Sequence, residues 1–149
     1  MADLDIHEFT NVEGGIGTSD ANLVQKVFTD TGVGLTTSDT TILSVTGTGI
    51  LQHIVANFED DKTELAVEID GVEVFRFAAE DLDDTGLYNL AGDAKIGHVP
   101  IRLGRDSKMI IVDWFSSPAG YHDSFEVICR MTSGAKDLRG IIVHYREST

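Results

Sequence analysis

Five histidines, one cysteine and 25 carboxylates are the side chains here with the most chemistry in them, and their spacing offers little to catalysis. His7, His53, His98, His122 and His144 are scattered, and none stands in the HExxH or HxH spacing that places two imidazoles on one metal. His53 and His144 fall within apolar β-type runs, where a hydrogen-bonded structural imidazole is expected. His122-Asp123-Ser124 contains the residue types of a hydrolytic triad, but a triad converges in space from separate elements and adjacent residues cannot form it. No GxSxG elbow is present, and Gly47-Thr48-Gly49 lacks the following helix of a phosphate loop. Cys129 alternates with apolar neighbours and reads as a buried structural thiol; a lone cysteine excludes an internal disulfide and a cysteine-rich zinc site. No catalytic residue, resident metal or cofactor is expected.

Two features could hold a ligand. Asp60 and Asp61, with Asp81 and Asp83, flank one hairpin and are the candidate ligands for a calcium ion, although their spacing matches no EF-hand. Solvated acidic loop tips are the alternative. Trp114, at the end of an apolar run, reads as a core or subunit-interface residue, or as an aromatic platform for sugar.

Charge narrows the partners. Against 25 acids stand 11 bases, a net charge of −14. Phosphate backbones and anionic membranes are bound through clustered Lys and Arg, so neither nucleic acid nor a membrane surface is an expected partner. Residues 1–20 hold five acids and no base, and 58–84 hold eleven acids against Lys62 and Arg76; residues 85–149 are close to neutral. No stretch approaches the ~20 apolar residues of a membrane helix, and the first residues lack a signal pattern. The chain is therefore expected to be made in the cytoplasm.

Short β-type runs must position these groups. Thr63 to Ala78 is the clearest: alternating residues flank Asp70-Gly71, a strong hairpin signal. A two-residue turn sets Ile69 against Val72 and Val67 against Val74 on a buried face. It also sets Glu68 against Glu73, an unfavourable pair unless solvated or displaced by a bulge. Further strands are expected at Asn22 to Thr29 (broken by Asp30-Thr31-Gly32), Thr40 to Thr46, Gly49 to Phe58, Gly97 to Leu103, Lys108 to Phe115, Tyr121 to Met131 and Gly140 to Tyr145. The sum is an all-β chain of about eight strands in an antiparallel sandwich, with no convincing long helix. Residues 21–149 form this domain. Residues 1–20 are expected to be an extended acidic arm, either loose or pinned by Leu4, Ile6, Phe9 and Ile16 onto its own domain or a neighbour.

The stretch from Thr41 to Leu51, TILSVTGTGIL, followed by an acidic loop and TELAVEIDGVEV, resembles virion structural proteins of tailed bacteriophages. His98-Val99-Pro100-Ile101-Arg102-Leu103, then Ser107 to Val112, and finally Ile142 to Tyr145, look like later strands of the same group. The resemblance implies a jelly-roll-like sandwich acting as a non-enzymatic assembly module on the virion. Its first form is a head decoration, or cement, protein: a homotrimer on the capsid surface, bound to the major capsid protein. Leu4, Ile6, Phe9, Ile16 and Trp114 are the candidate contacts. The alternative is a tail, fibre or baseplate domain that binds host-surface carbohydrate.

Overall fold

A computed structural model describes residues 5–10, 22–80, 95–96, 99–103, 108–114 and 119–148. Twelve antiparallel strands account for most of them. They are β1 (Asp5–Thr10), β2 (Leu23–Leu35), β3 (Thr40–Thr46), β4 (Gly49–Phe58), β5 (Thr63–Ile69), β6 (Val72–Ala78), β7 (Lys95–Ile96), β8 (Val99–Leu103), β9 (Met109–Asp113), β10 (Ala119–Tyr121), β11 (Ser124–Met131) and β12 (Lys136–Ser148). The larger sheet runs β1-β2-β12-β4-β9-β8-β7, with β10 also on β4; the smaller runs β3-β11-β5-β6. From β2 to β5 each strand crosses to the other sheet, and β11 and β12 do so again. This winding is that of a jelly-roll-like sandwich.

Alternation of side chains along the strands supplies both halves of one core. Phe28, Leu51, Ile54, Phe58, Val112 and Val143 from the large sheet meet Leu43, Leu65, Val67, Phe125, Val127 and Cys129 from the small one. Phe125 is fully buried, with its ring edge-on to Tyr121 at 4.9 Å and to Tyr145 at 5.2 Å. Burying these rings is the largest single stabilising contribution to such a core. Gly49 is required where β4 begins, because a Cβ there would collide with the Arg146 carbonyl and the Tyr121 hydroxyl.

The hairpin forms as the sequence predicts, with both of its register options present at once. Asp70 and Gly71 take positive φ angles of 52° and 79°, the pair a type I′ turn needs. Ile69 faces Val72 and Glu68 faces Glu73, and then a bulge at Val74 sets Val67 against Phe75. Val74 does not face Val67 as expected: the bulge gives that inward position to Phe75 and leaves Val74 41% exposed, while Val72, paired with Ile69 as expected, is 64% exposed beside the turn. Asp70 does more than turn the chain. Its carboxylate accepts hydrogen bonds from the backbone N–H groups of His122, Asp123 and Ser124 at 2.7 to 3.1 Å, tying this turn to the one before β11.

β2 extends past the predicted break. It runs through Asp30-Thr31-Gly32 to Leu35, since β12 pairs with it from Leu23 to Leu35, and Gly32 absorbs the local twist at φ 67°. Of the expected arm, residues 5–10 are the edge strand β1, paired to β2 from Asp5↔Thr29 to Thr10↔Val24. The sandwich therefore starts earlier than residue 21. Residues 1–4 and 11–21 lie outside the described residues, and among these are Leu4 and Ile16.

Candidate interaction surface

The two sheets turn very different outer faces away from the core. On the small sheet, register lines up Ser44, Glu126, Glu68 and Glu73 in one row, and Arg130, Glu64 and Ala78 in another. Between them, Ile128, Ala66 and Arg76 form a third row. Ion pairs knit this face together. Arg76 donates to both oxygens of Asp39 at 3.0 Å, to Glu64 at 2.8 Å and to Glu73 at 2.6 Å. Arg130 donates to Glu64 at 2.6 Å. Burial on its own would raise the Glu64 carboxyl, but the two guanidinium groups outweigh it and hold it below the ordinary 4.5. The Arg76 bond likewise lowers Asp39. Ala66 and Ile128, although outward-facing, are 1% and 4% exposed beside these long side chains.

The outer face of the large sheet is part apolar and part titratable. Its rows are Thr31, Gly140, Asn57 and Met109; then Thr29, Ile142, Val55 and Ile111; then Val27, His144, His53 and Asp113. β12 bulges at Arg139 and Gly140 has no side chain, so the first two rows enclose an open trough of about 410 Å³. Ile142 stands in it 41% exposed, on a central strand. The third row carries the densest titratable chemistry of this face. His53 Nδ1 stands 4.0 Å from Asp113 Oδ1, and the His53 and His144 rings meet edge-on at 5.8 Å. Burial lowers the His144 imidazole, which favours its neutral form near pH 7. A bulge at Gln52 adjoins this row.

The residues singled out from sequence fare unevenly. Trp114 is 4% exposed and packs in the core at 5.9 Å from Phe75. Buried in this way, its ring presents no open platform for a sugar. Ile6 and Phe9 fall on edge strand β1. Asp60 and Asp61 sit together after β4, the one lowered chiefly by the Lys62 backbone N–H and the other raised chiefly by Asp60 itself. Lys62 is ion-paired with Glu80 at 2.6 Å. Among the described residues no three His, Cys, Asp or Glu side chains group as a metal site; Asp81 and Asp83 lie outside them. Cys129 is fully buried, and burial raises its thiol far above the ordinary value, so it stays protonated. The trough went unseen in sequence. Its only signal was Ile142, Val55 and Met109 at outward positions of strands whose inward positions are also apolar.

No protein-family model matches the chain, and no curated protein is similar to it at a significant level.

Proposed function

We propose that this chain is a non-enzymatic virion structural protein of a tailed bacteriophage, a head decoration protein that binds the outside of the capsid and stabilises it. The observation that carries this reading is the phage-like stretch Thr41 to Val74 falling on four consecutive strands, β3 to β6, of a jelly-roll-like sandwich. A rigid sandwich with one face knit by ion pairs and another that carries an open apolar trough suits a block set between other proteins. The partners are the major capsid protein and further copies of the chain, arranged as a trimer. Copies joined in an oligomer gain avidity on a repeating lattice without any one large interface. Residues 1–20, acidic throughout, reach the shell protein through Leu4, Ile6, Phe9 and Ile16. The site of action is the capsid surface of the virion, reached after synthesis in the host cytoplasm.

Sedimentation with empty capsids tests this. The full chain is expected to pellet with shells and to raise their resistance to heat. A chain lacking residues 1–4, which keeps β1, should bind more weakly with an unchanged melting temperature. Retention on host glycans with no binding to shells would replace this reading with a tail or fibre role.

A further inference from the structure

Asp70-Gly71 is the only Asp-Gly step in the chain, and no Asn is followed by Gly. Of all steps after aspartate, Asp-Gly is the most open to isomerisation, because glycine has no side chain to shield the attacking nitrogen. Nothing stands within 4 Å of where a Gly71 Cβ would lie. The type I′ turn nevertheless needs both residues, with Asp70 at φ 52° and Gly71 at φ 79°. The clearest turn signal in the sequence is thus also its weakest covalent link.

The reaction needs no reagent but water. The Gly71 nitrogen bonds to Asp70 Cγ, a Cγ–O bond breaks, and the hydroxyl leaves as water with the amide proton. A cyclic imide remains. Water then opens it at either carbonyl. One opening restores aspartate; the other gives isoaspartate, whose backbone runs through Cβ and Cγ and whose free carboxylate sits on Cα.

In the folded chain this carboxylate is already engaged. Oδ1 accepts from the backbone N–H groups of His122, Asp123 and Ser124 at 2.9, 2.7 and 3.1 Å, and Oδ2 from that of His122 at 3.1 Å. The Asp70 N–H donates in return to the Ser124 carbonyl at 2.8 Å. Closing the imide removes one oxygen and the negative charge, so these charge-assisted bonds are lost before anything replaces them. The leaving oxygen must also carry a proton, and the same N–H groups favour the ionised form.

We infer that Asp70 is the isomerisation site of this chain, and that the turn at 122–124 guards it by holding its carboxylate. Guard and product exclude each other. Isoaspartate adds a backbone atom to a two-residue turn and moves the carboxylate one carbon back, so it fits neither the clamp nor the Ile69↔Val72 pairing. A turn that opens long enough to react does not close again as before.

Ageing of the full-length chain at neutral pH tests this, mapped with a protease that cuts before aspartate but not before isoaspartate. In guanidinium chloride, isoaspartate is expected at residue 70 ahead of every other aspartate. In the folded chain its formation there should be at least ~10-fold slower, because the rate follows the population of the opened turn. Ser124→Pro puts a ring carbon where the Ser124 N–H meets Oδ1, at the first residue of β11, where proline is tolerated. Folded, this variant should age several-fold faster than the wild type. His122→Pro takes its place if Ser124→Pro does not melt cooperatively. A further readout needs no variant: wild type aged in denaturant and refolded should exchange the 122–124 amide hydrogens faster than fresh chain taken through the same steps. A folded wild type that ages as fast as the unfolded chain would overturn the inference, as would a cooperatively melting variant that ages as slowly as wild type. Unchanged protection at 122–124 after ageing, or isoaspartate appearing first at Asp106 or Asp123, would do so too.

Discussion

The outer faces of the two sheets answer the same physical problem in opposite ways. On the small sheet, apolar Ala66 and Ile128 are covered by charged side chains whose charges are matched within the chain, Arg76 and Arg130 against Glu64, Asp39 and Glu73. On the large sheet, Val55, Met109 and Ile142 line an open trough, and Gly140 deepens it. Water is a good solvent for the first surface and a poor one for the second. The small-sheet face therefore contributes to the stability of the single chain, while the large-sheet face is free to contribute to assembly.

Four substitutions or conditions would break or sharpen that contrast, and the largest effect belongs to what the faces share. Phe125→Ala removes the ring between Tyr121 and Tyr145 and should cost about 3–5 kcal/mol, read as a lowered denaturant midpoint. Both faces should be lost in that one transition.

Glu64→Ala comes next. It leaves two partly exposed guanidinium groups without their shared, buried carboxylate, and about 2 kcal/mol is expected, between the values for exposed and fully buried pairs. A melting temperature lower by roughly 5 °C would show it. An unchanged melting temperature would mean that Asp39 and Glu73 suffice to hold Arg76.

Acid should act on the small-sheet face in the same direction. Glu64, Asp39 and Asp70 all have carboxyls below their ordinary values of 4.5, 3.8 and 3.8; for Asp70 the cause is the backbone N–H groups, Asp123 first. Such groups bind protons more readily when the chain is unfolded. Their stabilisation is complete above about pH 5 and is lost as pH falls through the lowered folded values. Thermal melts from pH 7 down to pH 3 should be flat at first and then decline, and Asp70→Asn should shrink the decline.

Ile142→Ser is the smallest perturbation of folding. A partly exposed side chain away from the core should change stability by about 0.5 kcal/mol or less. If the large-sheet face serves assembly, the same change lowers the association constant while the monomer melts as before.

Much of this was legible in the sequence, and the parts that were share a cause. β3, β4, β5 and β6 begin and end where alternation and turn residues put them, because each is decided by neighbours a few positions away. The buried state of Cys129 follows in the same way from Phe125 and Val127 on its face. Asp30-Thr31-Gly32 signal a turn locally, but hydrogen bonds from β12, over a hundred residues away, keep the strand running through them, with Gly32 taking a positive φ. Simple alternation puts Val74 inside opposite Val67, and a one-residue bulge moves it out, whereas Val72 keeps its partner Ile69 and is exposed beside the turn.

The sequence by itself determined an antiparallel all-β chain, the Asp70-Gly71 turn, the acidic charge and the want of a catalytic signature, since composition and local periodicity suffice for each. Only the tertiary structure decided that Asp70 would also clamp the turn at 122–124, that Trp114 would be core, and that Gly140, Val55 and Ile142 would meet in a trough. Those are encounters between distant segments, and the order of strands across a sheet, rather than the pattern along any one of them, sets which residues become neighbours.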